Sequence, residues 1–353
     1  MPKQFFDLSY SILNINQMKY NFLGNTGLLV SELCFGTMTF GGKGYWENIG
    51  KIQQQGVNEL MQVVIDSGIN FIDTANIYSY GESETLLGQS IIDLGLNRNE
   101  LVIATKVRGP MSDKPNDVGL SRYHIFNSVD DSLKRLQMDH VDILYVHGAD
   151  LRTSVEETMR ALNDIVITGK VRYIACCNWP AWMVMKAQGI AEKYGWNKFI
   201  GLQYFYSLSG RDIEREILPL AADQNLAVFP WSPLAGGFLS GKYSRDGDKA
   251  GARRDAFDFP PINKEKSYDI IDVITAVGEQ HGVSAAQVAL AWVRLQKDIT
   301  STIIGAKNVE QLKDNLQSTT IELSADELKK IDEVSALEKE YPQWMVERQG
   351  TGR

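Results

Sequence analysis

From residue 34 onward the hydrophobic positions gather into short, nearly unbroken runs. Longer stretches with helical spacing separate them. The runs are CFGTMTFG (34–41), NFIDTA (70–75), LVIATKV (101–107), VDILYVHG (141–148), RYIACCN (172–178), FIGLQYFY (199–206), LAVFPWSP (226–233) and STIIGA (301–306). Near-continuous Val/Ile/Leu/Phe stretches predict parallel strands covered on both faces. The gaps predict helices, among them VNELMQVVIDSG (57–68), HIFNSVDDSLKRLQ (124–137), VEETMRALNDIVITG (155–169) and IEREILPLAADQ (213–224). Gly68 and Gly169 are natural stops for the first and third of these. A polar loop, SGKYSRDGDKAGARRDAFDFPP (240–261), precedes two helices near 267–281 and 284–297. A last helix, SADELKKIDEVSALEKE, opens with a capping box of Ser324 and Glu327.

Eight strand–helix units in one chain predict an α/β fold, a (β/α)8 TIM barrel with extra helices outside. MKYNFLGNTGLLVSELC (18–34) predicts a hairpin that closes the bottom, turning at Asn25-Thr26-Gly27 with Gly27 at the positive-φ position. A doubly wound sheet is the weaker alternative, because no GxGxxG follows an early strand and there is no Walker loop. Residues 1–17 read as a flexible lead or tag-like extension, with Met18 a candidate alternative start. Residues 18–340 read as one barrel, and 341–353 as a tail near its mouth.

Composition narrows the class. The chain has 353 residues, 44% hydrophobic and 23% charged, with a net charge of −8. That balance, without a Lys/Arg cluster, argues against a nucleic-acid surface. No apolar run reaches membrane-spanning length, and the N-terminus lacks a signal-peptide core. Cys34, Cys176 and Cys177 read as reduced thiols of a cytoplasmic protein. No spacing of Cys and His suggests a metal, so none is expected.

Barrel chemistry sits at the C-terminal ends of the strands. There the sequence puts Asp73 and Tyr78 (second run), Lys106 (third) and His147 (fourth). A buried aspartate needs a partner, and Lys106 is the obvious one. A lysine cation at ~4 Å, with an effective dielectric of ~20, favours a phenolate by roughly 4 kcal/mol before desolvation is subtracted. The expected net result is a Tyr78 pKa moderately below the usual value, suited to protonating a carbonyl oxygen. Each residue has a plainer reading: a turn aspartate, a loop tyrosine, a snorkelling lysine, a structural histidine. Their arrival at three successive strand ends favours the joint one. Trp46, Trp179 and Trp344 lie near loops, where packing and a substrate pocket are both open readings.

At these residues the sequence resembles the aldo-keto reductase family, from Met18 to about residue 335. The motifs are GTMTFGG, FIDTANIYSYGESE, LVIATK, DILYVHGAD, CNW, GLQYFYSL, PWSPLAGGFLSGKY and IIGAKNVEQLKDN. The resemblance implies an NAD(P)H-dependent carbonyl reductase or alcohol dehydrogenase. It makes Tyr78 the acid/base, Lys106 and Asp73 its tuning pair, and His147 the substrate orienter. It also implies that Asn178 and Gln203 hold the carboxamide, with Cys177 beside Asn178 where many members have Ser, and that Tyr206 stacks on the nicotinamide ring. Thr37 and Met38 border the ribose and nicotinamide. Trp231, Ser232, Pro233, Leu234, Gly236, Leu239, Gly241 and Lys242 form the loop over the pyrophosphate. Gln311 and Asn315 contact adenine. Lys307 and Arg253 meet a 2′-phosphate, which favours NADPH over NADH, although Gly305 stands where some branches carry a phosphate-binding Lys.

The loops at 108–122 and 240–261 and the tail at 341–349 are expected to frame the substrate mouth. The expected partner is a small carbonyl or alcohol, with no nucleic acid or membrane and a homo-oligomer left open. The resemblance extends to potassium-channel beta subunits, so a cofactor-loaded interaction module is the alternative function. The intact four-residue set favours the enzyme. A metal-dependent barrel hydrolase lacks its ligand cluster.

Overall fold

A computed structural model of the chain describes residues 18–245, 254 and 257–350. Eight parallel strands form one sheet: β3 (Leu33–Gly36), β4 (Phe71–Asp73), β5 (Val102–Val107), β6 (Val141–Val146), β7 (Val171–Cys177), β8 (Phe199–Phe205), β9 (Ala227–Trp231) and β10 (Thr302–Ile304). They follow chain order, with β10 beside β3. The amides of Thr300 and Ser301 donate to the carbonyl of Val228 on β9, at 3.0 and 3.4 Å, and bring the two ends of the sheet together. The fold is a (β/α)8 TIM barrel.

Helices α1 (Gln54–Asp66), α2 (Glu82–Asp93), α3 (Arg122–Leu136), α4 (Val155–Ile167), α5 (Ala181–Tyr194) and α6 (Ile213–Gln224) connect successive strands. After β9 come α7 (Lys264–His281) and α8 (Ala285–Leu295), and after β10 come α9 (Val309–Leu316), α10 (Ala325–Ser335) and α11 (Gln343–Gly350). The Ser324/Glu327 capping box forms at the start of α10. Each barrel strand falls on one of the apolar runs, with β3 and β7 starting one residue earlier, because a strand buried on both faces has no polar side to interrupt it.

The core has two shells. The larger lies between sheet and helices. The smaller fills the barrel and includes Leu23, Val30, Phe71, Tyr145 and Phe229. Leu23 and Val30 come from the hairpin of β1 (Tyr20–Phe22) and β2 (Leu29–Ser31), which seals the end where the strands begin. The left-handed residue of its turn is Gly24 (φ 58°), not Gly27. A Cβ at Gly24 would lie 2.7 Å from the carbonyl oxygen of Ile200, so close approach to the barrel floor selects glycine there. Among the described residues no helix is long and apolar enough to cross a membrane.

Candidate active site

Lys106 is fully buried at the open end of β5. Its ammonium forms an ion pair with Asp73 Oδ2, donates to the Thr74 carbonyl at 2.8 Å and donates to Tyr78 Oη at 3.2 Å. The other carboxylate oxygen of Asp73 accepts from Gln203 Nε2 at 2.9 Å. His147 follows β6, its ring centroid 5.8 Å from that of Tyr78. The four residues at three strand ends therefore meet in one place. Below them Phe71, Tyr145 and Phe229 stack edge to face and keep the floor dry. Among the described residues no group of His, Cys, Asp or Glu is arranged to hold a metal.

The presentation of Tyr78 is forced by its backbone. Ser79 (φ 49°), Tyr80 (φ 53°) and Gly81 (φ 94°) are left-handed in succession, and two of them carry side chains, at a cost of about 1–3 kcal/mol each. Ser79 holds the bend by donating to the Phe40 carbonyl (3.0 Å) and accepting from the Gly42 amide (2.9 Å). Ser83 then ties two strand ends together: its hydroxyl donates to the Thr37 carbonyl (2.9 Å) and lies 3.1 Å from Thr74 Oγ1. Buried Glu84 accepts from Thr105 (2.5 Å) and from Arg135 Nε (2.6 Å). The motif GESE thus anchors α2 behind the cluster.

Electrostatics correct one expectation. Burial pushes the Tyr78 phenol up to about 12, and the opposing pull of Lys106 does not offset it while Asp73 adds to the rise. The phenol is therefore held protonated rather than moved toward phenolate, because desolvation of the oxyanion outweighs the single cation. Burial is the largest influence on Lys106 and lowers its pKa, but Asp73, Tyr78 and Cys177 together raise it above the usual value, so it stays charged. His147 lies well below the usual imidazole range, from burial first and then from Lys106 and Arg108. It is a neutral hydrogen-bonding group.

The other expected site residues fall into three places. Asn178 (φ 56°) follows β7, and its Oδ1 accepts from Trp231 Nε1 at 3.0 Å. Ser232, Ala235, Gly236, Gly237 and Gly241 are all left-handed in the loop after β9, which runs on to an exposed Lys242. Within it Pro233 and Leu239 are buried and Leu234 is partly exposed, as is Met38 in the loop after β3. Around α9, Gln311 accepts from the Lys307 amide at 2.9 Å and Asn315 donates to the Gly305 carbonyl at 3.1 Å. Thr37 is buried with its hydroxyl 2.8 Å from Ser83 Oγ. Cys177 points into the barrel, its thiol raised by burial against the opposing pull of Lys106. Arg253 lies outside the described residues.

Three tryptophans and one tyrosine separate. Trp46 sits against Tyr78, centroids 5.2 Å apart. Trp179 is buried in the outer shell against Phe199, away from the mouth. Trp344 lies on α11 beside Tyr341. Tyr206 does not occupy the stacking position expected of it: it is 1% exposed, packed on Trp292, with its hydroxyl on Glu214 at 2.7 Å. Alternation explains this, since Gln203 faces the barrel and Tyr206, three residues on, faces the helices. The partly exposed ring beside Asn178 is Trp231, between Phe205 and Phe259.

Sequence reasoning missed Arg108, Tyr45, Phe257, Phe259 and Arg254. Arg254 is buried and clamps the strap at 257–260 to the loop after β9, donating to the carbonyls of Ala235 (2.8 Å) and Pro260 (2.7 Å). The signal available was aromatic residues inside otherwise polar loops.

A family model described as the aldo/keto reductase family matches residues 32–336. The uncharacterized oxidoreductase YrpG of Bacillus subtilis is 39% identical over 330 residues, covering 90% of this chain and 96% of that protein. A Schizosaccharomyces pombe protein named as an aryl-alcohol dehydrogenase is 36% identical over 339 residues, covering 89% of this chain and 95% of its own length. An Arabidopsis thaliana protein named as a voltage-gated potassium channel subunit beta is 34% identical over 312 residues, 86% of this chain and 92% of its own.

Proposed function

The chain belongs to the aldo/keto reductase family, and from that premise we propose that it reduces an aldehyde or ketone with NADPH, or runs the reverse oxidation with NADP+. The observation that carries the reading is the buried chain Gln203–Asp73–Lys106–Tyr78, with a neutral His147 beside the phenol.

The residues at the mouth fit a nicotinamide dinucleotide by their chemistry. Asn178 spends its oxygen on Trp231, which leaves Nδ2 to donate to a carboxamide. The small residues between Ala235 and Gly241 let backbone approach a pyrophosphate, and Lys242 adds charge. Lys307, Gln311 and Asn315 would take the adenosine end, with Lys307 favouring a 2′-phosphate. When bound, the dinucleotide supplies or accepts the hydride.

The protein's own part is proton handling. Tyr78 keeps its proton at neutral pH and gives it to the carbonyl oxygen as charge builds there. The Lys106 ammonium, 3.2 Å from Oη, compensates the phenolate that forms. Asp73 keeps that ammonium charged and aimed, and Gln203 fixes Asp73. His147 can donate a second hydrogen bond to the carbonyl and hold it in line. In oxidation the phenolate takes the alcohol proton.

The test is Tyr78→Phe, followed by NADPH oxidation across a panel of aldehydes and by fluorescence titration of NADPH. Turnover should fall by about 10²-fold or more while binding persists. Turnover close to that of the native protein would remove Tyr78 from its role.

A further inference from the structure

The mouth carries a continuous chain of aromatic rings that runs outward from the proton donor to the end of β9. It starts at Tyr78 and passes to Trp46 (5.2 Å between centroids), Tyr45 (5.6 Å), Phe257 (5.7 Å), Phe259 (5.7 Å) and Trp231 (5.7 Å, planes 6° apart). Two segments far apart in sequence, the turn at 44–48 and the strap at 257–260, thus meet edge to edge across the opening. The rings are not sequestered: Tyr45 is 59% and Phe259 45% exposed. Exposed aromatic surface beside a reacting group is surface that a ligand covers.

The His147 side of the mouth is different. Arg108 follows β5 and stands next to His147, on which its charge acts. Its Nε donates to the Ala149 carbonyl at 3.0 Å, and no ion pair to Arg108 is found among the described residues. A long cation held by one carbonyl, with its two terminal nitrogens unspent, is suited to a bidentate anion.

We infer that the substrate, on the reading proposed above, is an aryl carbonyl bearing an acidic substituent, its ring taken by the aromatic arc and its anion by Arg108. An aliphatic carbonyl would leave the arc wet, and a neutral aryl one would leave Arg108 unanswered. Trp46 and Arg108 are then specificity-determining residues that act on substrate binding rather than on proton transfer.

The experiment compares para-carboxybenzaldehyde, its methyl ester and adipic semialdehyde as substrates of the native protein, Arg108→Leu, Arg108→Lys and Trp46→Leu. The native kcat/KM should favour the aryl acid over the ester by about tenfold, the worth of one charge-assisted hydrogen bond. It should favour the aryl acid over the aliphatic acid by a similar factor. Arg108→Leu should lower the acid about tenfold more than the ester, mainly through KM, and Arg108→Lys should keep part of the preference. Trp46→Leu should lower both aryl substrates more than the aliphatic one. Equal treatment of acid and ester by the native protein, or an equal loss of both in Arg108→Leu, overturns the inference. If no aldehyde is turned over, the functional reading fails, and binding decides the inference on its own. Para-(hydroxymethyl)benzoate should quench tryptophan fluorescence in the native protein and not in Arg108→Leu, and quenching that survives in Arg108→Leu would overturn it.

Discussion

Replacing Lys106 by Met keeps an apolar stem of similar length and removes the charge. Asp73 then stays at 4% side-chain exposure with only Gln203 Nε2, at 2.9 Å, to balance it. Stranding one partner of a buried ion pair costs about 3–5 kcal/mol, against a total stability on the order of 5–15 kcal/mol. Adding Asp73→Asn removes the orphaned charge while keeping an oxygen for Gln203 to donate to. The double variant should therefore regain about 2–3 kcal/mol over Lys106→Met alone. Both proteins should lack turnover, so catalysis and stability are read separately. Urea unfolding near neutral pH, followed by tryptophan fluorescence and far-UV circular dichroism, gives the three free energies of the cycle. A double variant less stable than Lys106→Met would mean that Asp73 is not left uncompensated when the ammonium goes, and would refute the paired-charge account of the site.

The reduction rate should not fall through titration of Tyr78 until pH exceeds 10, since burial holds the phenol at about 12. The same raised pKa makes folding lose stability as pH climbs from the unfolded value near 10 toward about 12. Urea midpoints taken across that window should decline less steeply in Tyr78→Phe. For His147 the sign is reversed: its folded pKa is depressed, so stability present above about 6.5 is lost as pH falls below it. His147→Gln should flatten that acid limb. Gly236→Ala should destabilise by more than about 1 kcal/mol, because φ is +67° and the added Cβ would lie 2.3 Å from the Phe259 carbonyl oxygen; thermal unfolding measures it. Gln137→Gly, at the left-handed end of α3 (φ 57°), should stabilise by about 0.5–1 kcal/mol, read from the urea midpoint.

The barrel was legible because its strands are buried on both sides, which writes them into the chain as plain apolar runs. The convergence of Asp73, Tyr78, Lys106 and His147 was legible because strand ends in this architecture share a mouth. What escaped depended on facing and on distance. Whether Tyr206 or Trp231 borders the cavity turns on side-chain alternation past the end of β8, which composition does not record. The Tyr78 phenol moves up because burial exceeds the pull of one cation, and the rings that close over it, Trp46 and His147, come from loops far away in the sequence. The succession Ser79–Tyr80–Gly81 looks like an ordinary loop, yet two residues there bear side chains in a conformation that glycine usually supplies. The aromatic arc joins residues 45–46 to 257–259, a link across more than half the chain that no local pattern reveals.

The hairpin bearing Leu23 and Val30 makes the barrel a well rather than a pipe. Solvent deuterium, hydroxide or chaotrope bound for the Lys106 ammonium must descend past the phenol, since nothing enters from beneath. A molecule lodged among the rings above would act as a stopper, so isotope exchange at that ammonium becomes a gauge of how often the well is uncorked.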